Sequence, residues 1–138
     1  PAEVTRLKNI HELGLGDRVE MPGFVDDVGA HLEEARCFAL SSLKETFGLA
    51  CVEALACGLP CVVTACGGPQ EIVDAPDLGA VTPVGDADAL AAAIDAALAH
   101  PGDPAPRQAR ARDFTLDTAL DRYDDLIGRV MSHARSPI

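Results

Sequence analysis

Short apolar runs and segments with helical spacing alternate along the chain. Apolar residues that recur every three or four positions, with aspartates before them and Gly or Pro after them, predict helices. The predicted helices lie at 2–13, 27–35, 49–57, 87–100, 105–112 and 117–132, with a helical turn at 70–73. Four short runs between them are predicted strands, at 18–21, 37–40, 61–64 and 79–82. Strands that alternate with helices predict an α/β fold in which a Rossmann-like parallel sheet is wrapped by helices.

The length of 138 residues fits one domain, so we expect residues 1–138 to form a single domain with C-terminal helices at 107–138. The last predicted helix carries an apolar face made of Leu120, Tyr123, Leu126, Ile127 and Val130. Binding sites in parallel sheets lie beyond the carboxyl ends of the strands. We therefore look for function in the loops that follow the predicted strands.

The stretch Lys44–Pro60 is the most informative of these regions. It contains a polar loop, a predicted helix that begins after Gly48, and a stop at Gly58 and Pro60, residues that end helices. The helix is apolar all round except for Glu53, which predicts that it is buried. Because its first amides have no partner within the helix, its N-terminus can bind an anion.

Two carboxylates lie beside this predicted anion site. Glu45 precedes the helix and Glu53 lies within it, roughly 7 Å along the axis from Gly48 at about 1.5 Å per residue. Carboxylates near a bound phosphate make sense as acceptors for neutral hydroxyl groups. The pattern is therefore typical of a site for a diphosphate with a sugar at each end. The alternative is that Glu53 reaches solvent and Glu45 is a surface loop residue.

The net charge and the cysteines indicate which binding partners are excluded and in which cellular compartment the protein lies. The net charge is −11, with 22 acidic and 11 basic residues, which argues against nucleic acid or an anionic membrane surface as a partner of this chain. The cysteines Cys37, Cys51, Cys57, Cys61 and Cys66 are odd in number and match no zinc-binding spacing. We interpret them as buried thiols in a reducing compartment, which favours the cytoplasm.

Several motifs, taken together and in order, resemble the family 4 retaining glycosyltransferases of the GT-B architecture. The resemblance rests on an E-x₇-E motif from Glu45 to Glu53, on Thr46 to Leu49, on Glu53 to Pro60 and on Gly67 to Val73. Further matches are the segments 13–19, 23–25 and 79–93. The resemblance runs along nearly the whole chain and implies the larger part of the C-terminal, donor-binding half of such an enzyme.

This resemblance implies a role for each residue of the motifs. Glu45 would be the catalytic candidate and would contact hydroxyls of the donor sugar. The Thr46–Leu49 segment (Thr46, Phe47, Gly48 and Leu49) would hold the distal phosphate, and Glu53 would accept from the ribose hydroxyls. Gly67 and Gly68 would leave room for the donor, with Glu71 as a further donor-binding candidate. The donor would be a UDP-, GDP- or ADP-sugar, with no tightly bound metal or cofactor and with retention of configuration.

The resemblance also implies parts that this sequence does not contain. Family members begin this domain with a strand, a loop and a helix that carry an Arg and a Lys for the pyrophosphate, and they have an N-terminal acceptor domain. We therefore expect an N-terminally incomplete fragment that binds donor weakly and transfers little or no sugar alone. An uncovered sheet edge predicts self-association; a membrane-surface contact stays open for the full-length enzyme.

Other functions are compatible with the same fold. One alternative is a non-catalytic α/β module for binding or assembly. Another keeps the GT-B architecture but changes the reaction, to a sugar phosphorylase or a nucleotide-sugar epimerase. Product analysis with a labelled donor separates these reactions from carbohydrate biosynthesis by glycosyl transfer.

Overall fold

A computed structural model describes residues 8–134 and shows a parallel sheet surrounded by helices. The strands are β1 (Phe38–Leu40), β2 (Cys61–Thr64) and β3 (Gly79–Thr82), and they lie in the order β1-β2-β3. Both pairings are parallel, with Phe38 opposite Cys61 and Cys61 opposite Gly79. The predicted α/β class and the predicted strands at 37–40, 61–64 and 79–82 are confirmed.

Six helices with defined bounds follow the predicted pattern: α1 (Val28–Glu34), α2 (Leu49–Ala56), α3 (Gly68–Ile72), α4 (Ala87–Ala99), α5 (Ala105–Arg112) and α6 (Leu116–Ala134). Two of them begin at an aspartate, where the sequence predicts a cap at Asp26 or Asp27 and at Asp86 or Asp88. The Asp27 carboxylate accepts from the Ala30 amide, and the Asp86 carboxylate accepts from the Ala89 amide. Residues 8–12 are also helical, and the remainder of the helix predicted at 2–13 lies outside the described residues.

The strand predicted at 18–21 is absent, and this prediction was wrong. Residues 18–21 form a turn and irregular backbone, and Val19 and Met21 are exposed. A strand needs a hydrogen-bonded neighbour, and β1 pairs on one side only, with β2, within the described sheet. A short extended segment without such a partner does not become a strand.

The core lies around the central strand. All of β2 is buried, which requires cover on both faces of the sheet. Helix α4 packs against β2 and β3, and α2 packs against β1, β2 and α5. The buried apolar residues that form the core cluster are Cys51, Val52, Ala54, Leu55, Leu59, Cys61, Val63, Ile72, Val73, Leu78 and Ala111.

Helix α6 has the predicted apolar face, and that face is uncovered. Leu120, Tyr123, Leu126, Ile127 and Val130 are each at least half exposed. Since these positions recur at helical spacing, they form one continuous apolar stripe on the surface of the described chain. No helix of the described residues is both long enough and apolar enough to span a membrane.

Candidate functional site

The loops after β1 and β2 are joined to each other at the carboxyl ends of the strands. The Glu45 amide donates to the Cys66 carbonyl at 3.1 Å, and the Gly68 amide donates to the Glu45 carbonyl at 3.1 Å. Glu45 and Gly67 thus form a parallel bridge beyond the end of the sheet. Two motifs that lie more than twenty positions apart in the sequence meet at the edge where parallel sheets bind ligands.

Gly68 is required for this contact. A Cβ atom at Gly68 would lie 2.4 Å from both the Cα and the carbonyl oxygen of Phe47. The space beside Gly68 is therefore filled by the backbone of the Thr46–Phe47 segment, which a larger residue would displace. Gly68 thus allows close contact between the loop after β1 and the start of α3, and its role in leaving room for a donor stays a prediction.

Helix α2 presents unpartnered amides at its N-terminus. Gly48 is the N-cap, and its φ of 96° lies in the left-handed region that glycine adopts without strain. The amides of Gly48, Leu49 and Ala50 have no acceptor within residues 8–134. Leu49 and Ala50 are exposed, whereas Gly48 is buried beside Pro69. The helix tip that the sequence predicts as an anion site is therefore open at Leu49 and Ala50.

The Glu45 carboxylate caps its own loop. Its Oε1 atom accepts from the Thr46 amide at 2.9 Å and lies 3.4 Å from the Phe47 amide, which also donates to it. These bonds hold the carboxylate against the Thr46–Phe47 backbone, immediately before α2 in the chain. Because Oε2 has no partner within the described chain, it can accept from a ligand hydroxyl.

Glu53 is exposed, so the prediction of a helix buried all round was wrong. One face of α2 packs in the core through Cys51, Val52, Ala54 and Leu55, while Leu49, Ala50, Glu53 and Ala56 face solvent. Apart from Glu53 the helix is apolar on both faces, and this hides the difference because alanine and leucine tolerate exposure. Residues three apart share a helix face, so Glu53 lies on the same open face as Ala50 at the helix tip.

Glu71 lies on a different element from the two other acidic candidates. It is exposed, in the first turn of α3, three positions after Gly68. Arg110 donates to the backbone carbonyl oxygen of Glu71 at 2.7 Å and not to its carboxylate. Thr46 is exposed and Phe47 is 43% exposed. Eight of the nine predicted residues therefore belong to the two joined loops and the open face of α2, with Glu71 at their margin.

Sequence reasoning missed the residues that support these loops. The Thr64 hydroxyl at the end of β2 donates to the carbonyls of Ser42 at 2.6 Å and Leu40 at 3.3 Å, and so fixes the start of the loop after β1. Arg110 of α5 donates to the Glu71 carbonyl of α3, and Phe114, just after α5, contacts Phe47 in the loop after β1. A threonine that ends an apolar run gave a signal for Thr64, whereas long-range contacts from α5 leave none in the sequence.

The cysteines are thiols, and three of them are buried. Cys51, Cys61 and Cys66 are buried, and Cys37 and Cys57 are half-buried. The hydrogen bond with Cys51 and burial both raise the pKa of Cys61. Among the described side chains, no cluster of His, Cys, Asp and Glu could hold a metal ion. The thiols therefore act as small apolar core residues.

A cleft of about 520 Å³ lies at the opposite end of the strands. It is lined by residues next to the starts of β2 and β3, including Pro60 and Gly79, and by the segment between α4 and α5. None of the predicted site residues lines it. Ligand sites in parallel sheets lie at the carboxyl ends, so this cleft is not the candidate site.

Comparison with known proteins identifies the family. Residues 1–114 match the family described as glycosyl transferases group 1. The chain is 38% identical over 91 residues to N-acetyl-alpha-D-glucosaminyl L-malate synthase of Bacillus anthracis, which covers 66% of this chain and 24% of that protein. It is 32% identical over 144 aligned positions to D-inositol 3-phosphate glycosyltransferase 1 of Catenulispora acidiphila, which covers 100% of this chain and 32% of that protein.

Solved structures agree with this match. Sucrose-phosphate synthase from Thermosynechococcus elongatus superposes with a TM-score of 0.79 and 31% identity, over 96% of this chain and 35% of that one. HepE from Anabaena, solved in complex with UDP-glucose, superposes with a TM-score of 0.77 and 28% identity, over 91% of this chain and 36% of that one. The chain thus spans about a third or less of the length of these relatives, and its fold is that of GT-B glycosyltransferases. This chain belongs to the glycosyl transferases group 1 family.

Proposed function

We propose that this chain is the donor-binding domain of a family 4 retaining glycosyltransferase, which transfers a hexosyl group from a nucleotide-diphosphate sugar to an acceptor hydroxyl. The observation that carries the proposal is the open N-terminus of α2. Its unpartnered amides lie in a loop that is joined to Gly67 and Gly68 at the carboxyl end of the sheet. Such amides bind phosphate oxygens.

The two carboxylates of the motif have separate proposed roles. Glu45 lies in the loop just before α2, and its free Oε2 would accept from a hydroxyl of the donor sugar. The family resemblance makes it the catalytic candidate. Glu53, on the open face of α2, would accept from the ribose hydroxyls. A carboxylate accepts hydrogen bonds and repels phosphate, so beside a bound diphosphate both carboxylates would bind neutral hydroxyl groups. The resemblance to the family implies which of the two binds the sugar and which the ribose. Glu71 would serve as an outer donor contact.

UDP-sugars are the first donors to test. HepE, a structural neighbour at 28% identity, was solved with UDP, with UDP and glucose, and with UDP-glucose. The binding of these ligands by a related fold supports a nucleotide-sugar donor for this chain. GDP- and ADP-sugars stay in the comparison because no described residue identifies the base.

The proposal is tested by calorimetric titration of UDP, GDP and ADP into the 138-residue chain. We expect weak but saturable binding of one of them, because Lys44 is the only basic residue between Cys37 and Asp103. Glu53→Ala should weaken that binding, whereas Glu33→Ala, at an exposed position on α1, should not. Equal binding by the two variants and the parent chain would contradict the site assignment.

Activity separates this proposal from its alternatives. With labelled UDP-glucose, inorganic phosphate and a panel of acceptor hydroxyls, we expect little or no transfer by this chain alone. We expect retention of the anomeric configuration by the protein that carries the complete site. Robust turnover by the 138-residue chain would contradict the first expectation. Sugar phosphate as the product would indicate a phosphorylase, and an epimerised nucleotide sugar would indicate an epimerase.

A further inference from the structure

Arg110 of α5 holds the end of the short helix α3. Its Nε donates to the Ile72 carbonyl at 3.1 Å and its Nη2 donates to the Glu71 carbonyl at 2.7 Å. Carbonyls in the last turn of a helix have no partner within the helix. The Arg110 guanidinium supplies those partners and places a positive charge at the negative end of the helix.

The guanidinium is itself held on several sides. It forms ion pairs with Asp74 and Asp113, each at 3.0 Å, and only 23% of its side chain is exposed. Its central carbon lies 4.8 Å from the centroid of the Phe114 ring, within the range of a cation–π contact. Arg110 and Phe114 therefore form one packed unit, here called the α5 clamp.

The α5 clamp reaches the loop of the candidate site by two routes. Through Phe114, it contacts the Phe47 side chain, with ring centroids 5.7 Å apart and planes at 69°. This edge-to-face geometry is favourable for aromatic pairs. Through α3, it reaches the loop backbone, because the Gly68 amide at the start of α3 donates to the Glu45 carbonyl. One unit thus fixes both the side chain and the backbone of the same loop.

We infer that Arg110 and Phe114 are positioning residues for donor binding. They hold the loop from Glu45 to Gly48 in the conformation that presents the free amides of α2 and the Glu45 carboxylate. Neither residue needs to contact the donor, because each acts through Phe47 or through α3. The part of this inference that concerns the donor rests on the proposed function.

Amide hydrogen exchange tests the clamp without any ligand. Arg110→Gln removes the caps of α3, and Phe114→Leu removes the ring that packs on Phe47. We expect each variant to increase exchange by about tenfold or more at the hydrogen-bonded amides of Glu45, Thr46 and Phe47, with residues 87–99 of α4 unchanged. Arg112→Gln, which removes the same charge from an exposed position of α5, is the matched control. Phe114→Tyr keeps the ring and should restore the parent exchange rate.

UDP titration then tests the link to the site. We expect the affinity for UDP to fall by about tenfold in Arg110→Gln and in Phe114→Leu, and to be retained in Arg112→Gln and Phe114→Tyr. In a Phe47→Leu background, Phe114→Leu should cause little further loss, since the ring contact is already gone. This coupling would not appear if Phe114 only stabilised the fold.

The outcomes distinguish the inference from the proposed function. Exchange that rises equally in all helices, or no difference from Arg112→Gln, would overturn the clamp. A loosened loop with unchanged UDP affinity would overturn the positioning role. If the parent chain binds none of UDP, GDP and ADP, the proposed function fails, whereas the exchange rates still decide whether Arg110 and Phe114 hold the loop.

Discussion

Gly68→Ala is the sharpest test of how the two loops of the candidate site depend on each other. The added Cβ would lie 2.4 Å from the Phe47 carbonyl oxygen and 2.5 Å from that of Thr46. Atoms at such distances overlap, and the neighbouring atoms belong to the backbone, so no side-chain rotation relieves the clash. Either the loop moves away from α3, or α3 moves away from the loop.

The cost follows from the contacts that such a movement breaks. Inserting a methyl group into a well-packed contact costs about 1–3 kcal/mol. The hydrogen bond from the Gly68 amide to the Glu45 carbonyl, worth about 0.5–1.5 kcal/mol, would be lost with it. We expect the free energy of unfolding to fall by about 1–3 kcal/mol, because partial movement relieves some of the clash. This corresponds to a decrease in Tm of roughly 3–10 °C for a chain of this length.

The assay compares Gly68→Ala with Gly16→Ala. A Cβ at Gly16 meets no atom within 4 Å, so the control makes the same chemical change in open space. Thermal unfolding followed by circular dichroism gives Tm, and calorimetry gives the affinity for UDP. We expect Gly68→Ala to bind UDP more weakly even at temperatures where the variant is fully folded, since the clash acts directly on the loop that leads to the free amides. If both variants matched the parent chain in Tm and affinity, the loop contact would have no energetic role.

Three further predictions concern other parts of the chain. Glu53→Ala should weaken UDP binding by roughly 10- to 150-fold, because hydrogen bonds to a charged group contribute about 1.5–3 kcal/mol. Its Tm should be unchanged because Glu53 is exposed, and a lower Tm would point to a structural role. Arg107→Met should lower the free energy of unfolding by about 3 kcal/mol or more in urea denaturation, because the buried guanidinium donates to the carbonyls of Gly58, Asp77 and Pro101. A smaller decrease would mean that water molecules replace the guanidinium as donors to these carbonyls. The raised pKa of Cys61 predicts that the free energy of unfolding falls above about pH 9, because the unfolded thiol ionises there and the native thiol keeps its proton. The decrease is up to about 1.4 kcal/mol per pH unit. The pH dependence of Tm should be shallower in Cys61→Ala, and equal slopes would contradict a buried, protonated thiol.

The fold could be predicted from the sequence wherever local chemistry decides the structure. Asp27 and Asp86 cap helices as predicted, because an aspartate before an amphipathic segment satisfies the first amides of that helix directly. The run Cys61–Thr64 becomes the buried central strand for the same kind of reason, since a run with no charged residue and a single closing threonine fits a strand covered on both faces. These features depend on residues that are neighbours in the sequence.

Predictions failed where a partner decides the structure. Residues 18–21 have strand-like composition, but a strand forms only beside another strand, and that pairing is absent from the described sheet. The exposure of Glu53 was missed because the sequence of α2 is apolar on both faces and does not show which face lacks a neighbour. The contacts of Arg110 with α3 could not be predicted, since they join positions nearly forty residues apart.

The candidate site combines hydrogen-bond donors with negative charge, and this combination limits what it can bind. The N-terminus of α2 carries roughly half a positive charge from the helix dipole. The Glu45 carboxylate next to it carries a full negative charge, although the Thr46 and Phe47 amides stabilise that charge. A diphosphate placed at this tip would therefore gain hydrogen bonds but little net Coulomb attraction. Within the stretch from Cys37 to Asp103, Lys44 alone could add positive charge, and its side chain is exposed. Tight binding of a diphosphate must then draw on cations from outside this stretch. In the proposed function, Glu45 and Glu53 would add selectivity for the hydroxyl-bearing sugars at the two ends of the diphosphate.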